Sequence, residues 1–157
     1  MSSAPVPFRR PTRTPVSCSV RSFDGTLIAY DLYDEGSRSA VLVIPGFWRD
    51  RRHPAMLRLA AFLNANGYRA AIVDPRGHGD SGGVYGFNLH EHHDTAAVAN
   101  DLLQRLPIES ITLIGFSYGA SIAISSSMPH AYFFAVCRRR IIIPATRDEL
   151  AVDPDAD

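Results

Sequence analysis

The sequence predicts an α/β domain built on a mostly parallel β-sheet of about six strands, with an antiparallel hairpin at its start. Short β-branched or apolar runs alternate with stretches of helical spacing, which is typical of parallel strands joined by right-handed crossovers. The run Ala40–Ile44 is apolar throughout, which indicates a strand buried on both faces. With 157 residues, of which 46% are hydrophobic, the chain is expected to bury one core.

Composition divides the chain into three predicted regions. Residues 1–16 contain four prolines and no acidic residue, which predicts a disordered N-terminal arm. Residues 17–144 carry the alternating strands and helices and are expected to form the core. Residues 145–157 are rich in acidic residues and are expected to be a frayed tail.

The elements of the core follow from periodicity and from turn residues. Asp24-Gly25 is a hairpin signal between two alternating runs, so the first two strands are expected to be antiparallel. Gly67 and Pro107 are expected to end the first two helices. The predicted strands are 19–23, 26–33, 40–44, 68–73, 110–116 and 140–143. The predicted helices are 54–66, a helix opened by a capping box of Asn88 and Glu91, and 118–129.

Ser117 occupies the middle of a Gly-x-Ser-x-Gly motif, between a β-branched run and a stretch of helical spacing. This order predicts a sharp strand-to-helix turn, in which a Cβ at Gly115 or Gly119 would collide with the backbone across the turn. Such strain lifts a serine hydroxyl from the sheet edge and points the first helical N–H groups at whatever it attacks. The motif therefore predicts a nucleophile, with a purely structural turn as the alternative.

Two further loops are expected at the same edge of the sheet as Ser117. Gly46-Phe47-Trp48 and Asp74–Ser81 each follow a predicted parallel strand, and the loops after the carboxyl ends of such strands gather together. Three stretches then resemble the α/β-hydrolase superfamily, in its serine aminopeptidase-like and monoacylglycerol-lipase-like branch. They are Val41–Gly46, the Asp-Pro-Arg-Gly-His-Gly-Asp-Ser loop and Gly115–Gly119.

The resemblance covers about residues 20–127, the N-terminal half of a typical family member. It implies a three-layer sandwich truncated before the last strands, and a serine hydrolase acting on a small acyl or ester substrate. By the same resemblance Ser117 is the nucleophile, and the backbone N–H groups of Phe47 and Tyr118 are the oxyanion donors. Trp48, with Phe47, would line an acyl pocket or simply pack at the strand end, and the sequence does not choose between these.

Charged residues near these loops are expected to be structural. In the family, the loop that holds Asp74 and Arg76 ties the strand end to the next helix. Two arginine clusters, at residues 49–52 and 138–140, are expected to be solvated.

The sequence does not supply an evident base for Ser117. In the family the acid and then the histidine follow the nucleophile. His130 is the only histidine after Ser117, and the predicted helix would place it about 20 Å away. Asp148 follows the last predicted strand, where some family lipases place the acid, but it has no histidine to orient. The hydrolase is therefore expected to be incomplete, with weak or no activity of its own.

The other histidines are expected to have structural roles. His53 and His78 lie in loops at the same edge of the sheet as Ser117 and could approach it, but a surface position or bracing of these loops is favoured. His90, His92 and His93 crowd a helix start, where adjacent residues do not share a face, so no metal site is expected.

Composition excludes several other functions. Sixteen basic and sixteen acidic residues balance, which does not favour nucleic acid as a partner. No run approaches the roughly 18 apolar residues of a membrane span. Cys18 and Cys137 lack metal-ligand spacing and do not make a disulfide framework, which indicates a cytoplasmic protein. A phosphate-binding domain that uses Gly77-His78-Gly79 is disfavoured, because the loop lacks a Walker lysine and is not Gly-x-Gly-x-x-Gly, and no cofactor is expected.

A non-enzymatic function is the alternative. The strand at 140–143 would be a bare sheet edge, which could pair with a second copy of the chain or with a complementing chain. The chain would then be an inactive truncated remnant or a protein-binding module.

Overall fold

A computed structural model describes residues 14–126 in full and the backbone of residues 131–137 and 140–142. These ranges contain seven strands and three helices. The strands are β1 Val16–Arg21, β2 Leu27–Tyr33, β3 Ser39–Ile44, β4 Arg69–Val73, β5 Ser110–Phe116, β6 Ala131–Cys137 and β7 Arg140–Ile142. The helices are α1 Pro54–Ala65, α2 Glu91–Arg105 and α3 Tyr118–Ser125.

The strands form one mixed sheet in the order β1-β2-β4-β3-β5-β6-β7. The four central strands β4, β3, β5 and β6 are parallel, while β1, β2 and β7 run antiparallel to their neighbours. Helices α1, α2 and α3 each connect two of the parallel strands, as right-handed crossover folds require. The predicted α/β architecture with an N-terminal hairpin is confirmed.

The core lies in two layers on either side of the sheet. Along β3, Leu42 and Ile44 face a cluster that includes α2 and α3, whereas Val41 and Val43 face a cluster built on α1. Because successive strand residues point to opposite faces, this continuous apolar run serves both layers at once. Complete burial of a side chain such as Leu42 contributes about 2 kcal/mol to folding. The sheet between two helical layers is the expected three-layer sandwich.

The end of the described chain differs from the sequence prediction. The helix after Ser117 was expected to reach Pro129, but α3 ends at Ser125. A strand absent from the prediction, β6, then pairs in parallel with β5. Strand β7 was predicted, and it forms the edge of the described sheet. The predicted acidic tail lies outside the described residues.

The start of α2 also corrects a prediction. Asn88 does not cap the helix, because it lies two residues before the N-cap His90 and has a positive φ of 72°. Its amide donates to the Ser125 hydroxyl instead, at 2.8 Å. The Glu91 carboxylate, expected to complete the capping box, accepts the backbone N–H groups of Gly86 and His90 at 2.6 and 3.1 Å.

None of the helices in the described part of the chain has both the length and the apolar character needed to cross a bilayer.

Candidate active site

Ser117 lies at a strained turn between β5 and α3, with φ 52° and ψ −115°. A non-glycine residue in such a region costs about 1–3 kcal/mol, and the surrounding structure must enforce it. A Cβ on Gly115 would lie 2.1 Å from the Gly119 carbonyl oxygen, and a Cβ on Gly119 would lie 2.2 Å from the Ile44 carbonyl oxygen. The predicted steric role of both glycines is confirmed.

The loop after β3 lies directly against this turn. A Cβ on Gly46 would come within 2.9 Å of the Phe116 carbonyl oxygen and 3.3 Å of the Ser117 Cβ. The parallel pairing of Ile44 with Gly115 sets this contact, because both strands end at the same level. Phe47, the next residue, therefore follows a backbone segment that touches Ser117.

A tight turn spans Gly46 to Arg49. The Arg49 N–H donates to the Gly46 carbonyl oxygen at 3.2 Å, and Trp48 has a positive φ of 60°. The Trp48 side chain is 83% exposed. Its backbone N–H donates to Nε2 of His78 at 3.4 Å, which joins this turn to the loop after β4.

Aromatic rings surround the same edge of the sheet. The Phe47 ring contacts the rings of Trp48 and Tyr85 edge-on, at centroid distances of 4.5 and 4.7 Å. Tyr85 in turn contacts Phe87 and Tyr118, both at 4.8 Å. These contacts form an apolar wall beside the turn that holds Ser117.

The two tyrosines of this wall stay protonated at neutral pH. Burial raises the pKa of Tyr85. Burial, followed by the neighbouring Tyr85 hydroxyl, also raises the pKa of Tyr118. Neither phenol can therefore supply the base that a serine nucleophile needs.

A buried ion cluster anchors the residues that follow the turn. Arg51 is only 2% exposed, and its guanidinium pairs with Asp31 at 2.9 Å, with Asp80 at 2.6 Å and with Asp74. The Arg51 backbone N–H also donates to Asp74 at 2.7 Å. The prediction that this arginine is solvated is wrong, because three carboxylates from distant parts of the chain converge on it. Arg49 and Arg52 of the same cluster are exposed as expected, and the side chains of residues 138–140 lie outside the description.

Arg76 has the expected structural role. It donates to both carboxylate oxygens of Asp94 on α2, at 2.7 and 2.6 Å, and to Asp24 in the hairpin turn at 3.0 Å. Asp74 is fully buried and accepts the Asp80 N–H at 2.8 Å. The end of β4 is therefore held to α2, to the hairpin turn and to the loop after β3.

The histidines of the active edge brace loops, as predicted. Nδ1 of His53 accepts the Ala55 N–H at 3.2 Å and caps α1. His78 has one ring nitrogen at the Trp48 N–H and the other at the Arg76 carbonyl oxygen. Within residues 14–126, the Ser117 hydroxyl has no hydrogen-bond partner.

The three histidines near α2 lie away from these contacts. His90 and His93 pack on the ring of Phe23, at 5.4 and 4.6 Å. No group of three His, Cys, Asp or Glu residues that could hold a metal occurs in the part of the chain that the structure describes. His130 and Asp148 lie outside it.

Asp80 makes the stability of this loop cluster depend on pH. Hydrogen bonds from Arg51 and Arg52 lower the pKa of Asp80 from its ordinary value of 3.8. Its stabilising contribution is therefore complete above the unfolded-state pKa and is lost as the pH falls through the lower folded-state pKa. We expect the urea midpoint to fall between about pH 6 and about pH 3, and to fall less in Asp80→Asn. An equal fall in both proteins would contradict this role for the carboxylate.

Comparison with known proteins identifies the family. Residues 41–156 match the alpha/beta hydrolase family. The chain belongs to the alpha/beta hydrolase family. This confirms the resemblance inferred from the three stretches at the active edge.

Proteins similar to this chain include enzymes of several kinds. Epoxide hydrolase 2 of Siraitia grosvenorii is 34% identical over 91 residues, which are 56% of this chain and 27% of that protein. An esterase of Pyrococcus furiosus has a TM-score of 0.70 at 27% identity, over 75% of this chain and 47% of that chain. A serine hydrolase without lid from Xanthomonas campestris has a TM-score of 0.64 at 18% identity, over 74% and 56% of the two chains, and shares the fold. The chain thus spans between a quarter and a little over half of these proteins.

Proposed function

We propose that this chain carries the nucleophile half of a serine hydrolase that cleaves small acyl esters through Ser117. The strained backbone of Ser117, at φ 52° and ψ −115° between two glycines that tolerate no Cβ, carries the proposal. Such strain persists only where the surrounding structure enforces it, and it clusters at active sites, which supports a functional role for the exposed hydroxyl. Membership of the alpha/beta hydrolase family supports this reading.

The proposed reaction is acyl transfer in two steps. Ser117 Oγ loses its proton to solvent water as it bonds to the acyl carbon, and the carbonyl electron pair moves to the oxygen, which the N–H groups of Phe47 and Tyr118 then stabilise. The intermediate collapses as the ester C–O bond breaks, and the leaving alcohol oxygen takes a proton back from water. A second water molecule then attacks the acyl carbon, the bond to Ser117 Oγ breaks, and the serine oxygen recovers a proton as the acid leaves. One well-placed oxyanion donor typically contributes about 3–4 kcal/mol to such a reaction.

The aromatic wall supports a binding place for the acyl group of the substrate. Phe47 and Trp48 follow the segment that touches Ser117, and the exposed Trp48 ring is free to contact an acyl group. We propose Trp48 as a substrate-contacting residue, in preference to simple packing, because its exposed fraction is 83%.

No base for the Ser117 proton is in place among the described residues. The Ser117 hydroxyl has no hydrogen-bond partner within residues 14–126, and the ring nitrogens of His53 and His78 contact other groups. A positioned base accelerates such reactions by about 10²–10⁴-fold. We therefore propose that acylation of Ser117 is slow in this chain alone.

Labelling with a fluorophosphonate tests the nucleophile. We expect slow labelling of the folded protein that is absent in Ser117→Ala and retained in Ser110→Ala, a serine at the other end of β5. Free imidazole should accelerate the Ser117-dependent rate, because it can accept the proton that no described side chain takes. Circular dichroism of each variant would verify folding.

The outcomes separate the two candidate functions. Labelling that is equal in the wild type and in Ser117→Ala would contradict the hydrolase proposal and favour a non-catalytic role. Fast labelling that imidazole does not change would instead refute the proposed lack of a base.

A further inference from the structure

The turn that carries the Phe47 N–H is held in a strained form. The backbone φ is negative at Phe47 and positive at Trp48, which are the signs of a type II turn closed by Arg49. The third residue of such a turn is usually glycine or asparagine. With tryptophan in this position, a type I turn with a negative φ at Trp48 would be the relaxed form. Something outside the turn must therefore favour the observed one.

His78 makes the contact that favours the observed form of this turn. Its Nε2 accepts the Trp48 N–H at 3.4 Å, and its Nδ1 lies 3.1 Å from the Arg76 carbonyl oxygen. One neutral tautomer, with the proton on Nδ1, satisfies both contacts. The ring also packs edge-on against Phe47 at 5.7 Å and Tyr85 at 5.4 Å, which leaves it little freedom to rotate.

When a type II turn converts to a type I turn, the peptide between its second and third residues flips. In this turn that peptide joins Phe47 to Trp48 and carries the N–H that His78 accepts. The Phe47 N–H belongs to the adjacent peptide and depends on the same turn for its direction. Loss of the His78 contact would free the turn to relax.

We propose that His78 is a positioning residue that holds the Phe47 N–H in place by fixing the turn from Gly46 to Arg49. The proposal rests on the proposed roles of Ser117 and Phe47 for its effect on reactivity. The restraint of the Trp48 peptide by His78 does not depend on those two roles. Two experiments address these two levels separately.

Hydrogen exchange of the Trp48 amide tests the restraint itself. His78→Phe keeps a ring in the aromatic wall but removes the acceptor, whereas the Oε1 atom in His78→Gln can reach the place of Nε2. We expect Trp48 N–H exchange to be roughly 3- to 10-fold faster in His78→Phe than in the wild type, the factor that one neutral hydrogen bond supplies. Exchange in His78→Gln should stay near the wild-type rate.

A double-mutant cycle tests the consequence for Ser117. In His78→Phe we expect the rate of fluorophosphonate labelling to fall by roughly 3- to 10-fold. In a Trp48→Gly background the same substitution should have little effect, because glycine adopts a positive φ without strain. A purely structural role for the His78 ring would give equal losses in both backgrounds.

The control replaces a histidine that contacts Phe23 instead of the turn: His93→Phe should change neither rate. Unchanged Trp48 exchange in folded His78→Phe would overturn the proposal, as would additive losses in the cycle. If the wild type is not labelled at all, the function proposed for Ser117 fails, and amide exchange alone decides whether His78 restrains the turn.

Discussion

Replacing Arg51 by methionine is expected to destabilise the protein by about 3–5 kcal/mol, the usual result of removing one partner from a buried ion cluster. The loss arises because Asp31 and Asp74, 4% and 0% exposed, would remain buried without their cation. Since a domain of this kind has about 5–15 kcal/mol of total stability, the variant should lose a large part of it. Chemical denaturation followed by circular dichroism measures the change.

Two further variants test the cause. Arg52→Met removes the neighbouring arginine, which is exposed and, within the described residues, pairs with the half-exposed Asp80 alone, so we expect a change of about 1 kcal/mol or less. Asp31→Asn in the Arg51→Met background should recover stability, because it removes an uncompensated charge while its side-chain oxygen can still accept the Ser17 hydroxyl. If Arg51→Met and Arg52→Met lowered the free energy of unfolding equally, burial of the cluster would not explain its contribution to stability.

This cluster also shows why the sequence alone could not predict the whole site. In the run Arg49-Asp50-Arg51-Arg52 nothing local distinguishes the buried arginine from its solvated neighbours. Its burial depends on carboxylates 20 residues before it, 23 after it and 29 after it along the chain, at Asp31, Asp74 and Asp80. Only the completed sheet brings these groups together.

Features that depend on neighbouring residues were predicted correctly. The hairpin, the alternation of strands and helices, and the steric need for Gly115 and Gly119 follow from local geometry. The shift of the α2 start has a longer-range cause, because Asn88 binds Ser125, 37 residues away. The contact between His78 and Trp48 likewise joins two loops 30 residues apart, so sequence could place both at one edge but not in one hydrogen bond.

The missed strand β6 is a different kind of error. Residues 131–137 form a continuous apolar run of strand length that begins two residues after Pro129, which is a signal for a buried strand. Its parallel pairing with β5 places one more strand beside the turn that holds Ser117.

Gly115→Ala is expected to destabilise the protein by about 3 kcal/mol, at the upper end of the range for overpacking, and to abolish Ser117-dependent labelling. The added Cβ would meet the Gly119 carbonyl oxygen at 2.1 Å and the Ala120 Cα at 2.5 Å, and both of these are backbone atoms. The backbone at Gly119 has little room to move away, since even a Cβ on Gly119 would lie 2.2 and 2.6 Å from the carbonyl oxygens of Ile44 and Pro45. Any displacement of the Gly119 backbone would therefore also displace the segment from Ile44 to Gly46.

Two matched variants isolate this steric effect. Gly82 has ordinary φ, and a Cβ there would meet its nearest atom at 3.6 Å, so Gly82→Ala should be nearly neutral. Gly36 has a φ of +77° with open space around it, so Gly36→Ala measures backbone strain alone, about 1 kcal/mol. Unfolding midpoints and labelling rates of the three variants would be compared. Of the three positions, only Gly115 lies at the turn that holds Ser117 and the proposed oxyanion donors. A folded Gly115→Ala protein with unchanged labelling would therefore show that Ser117 does not need its strained turn to react.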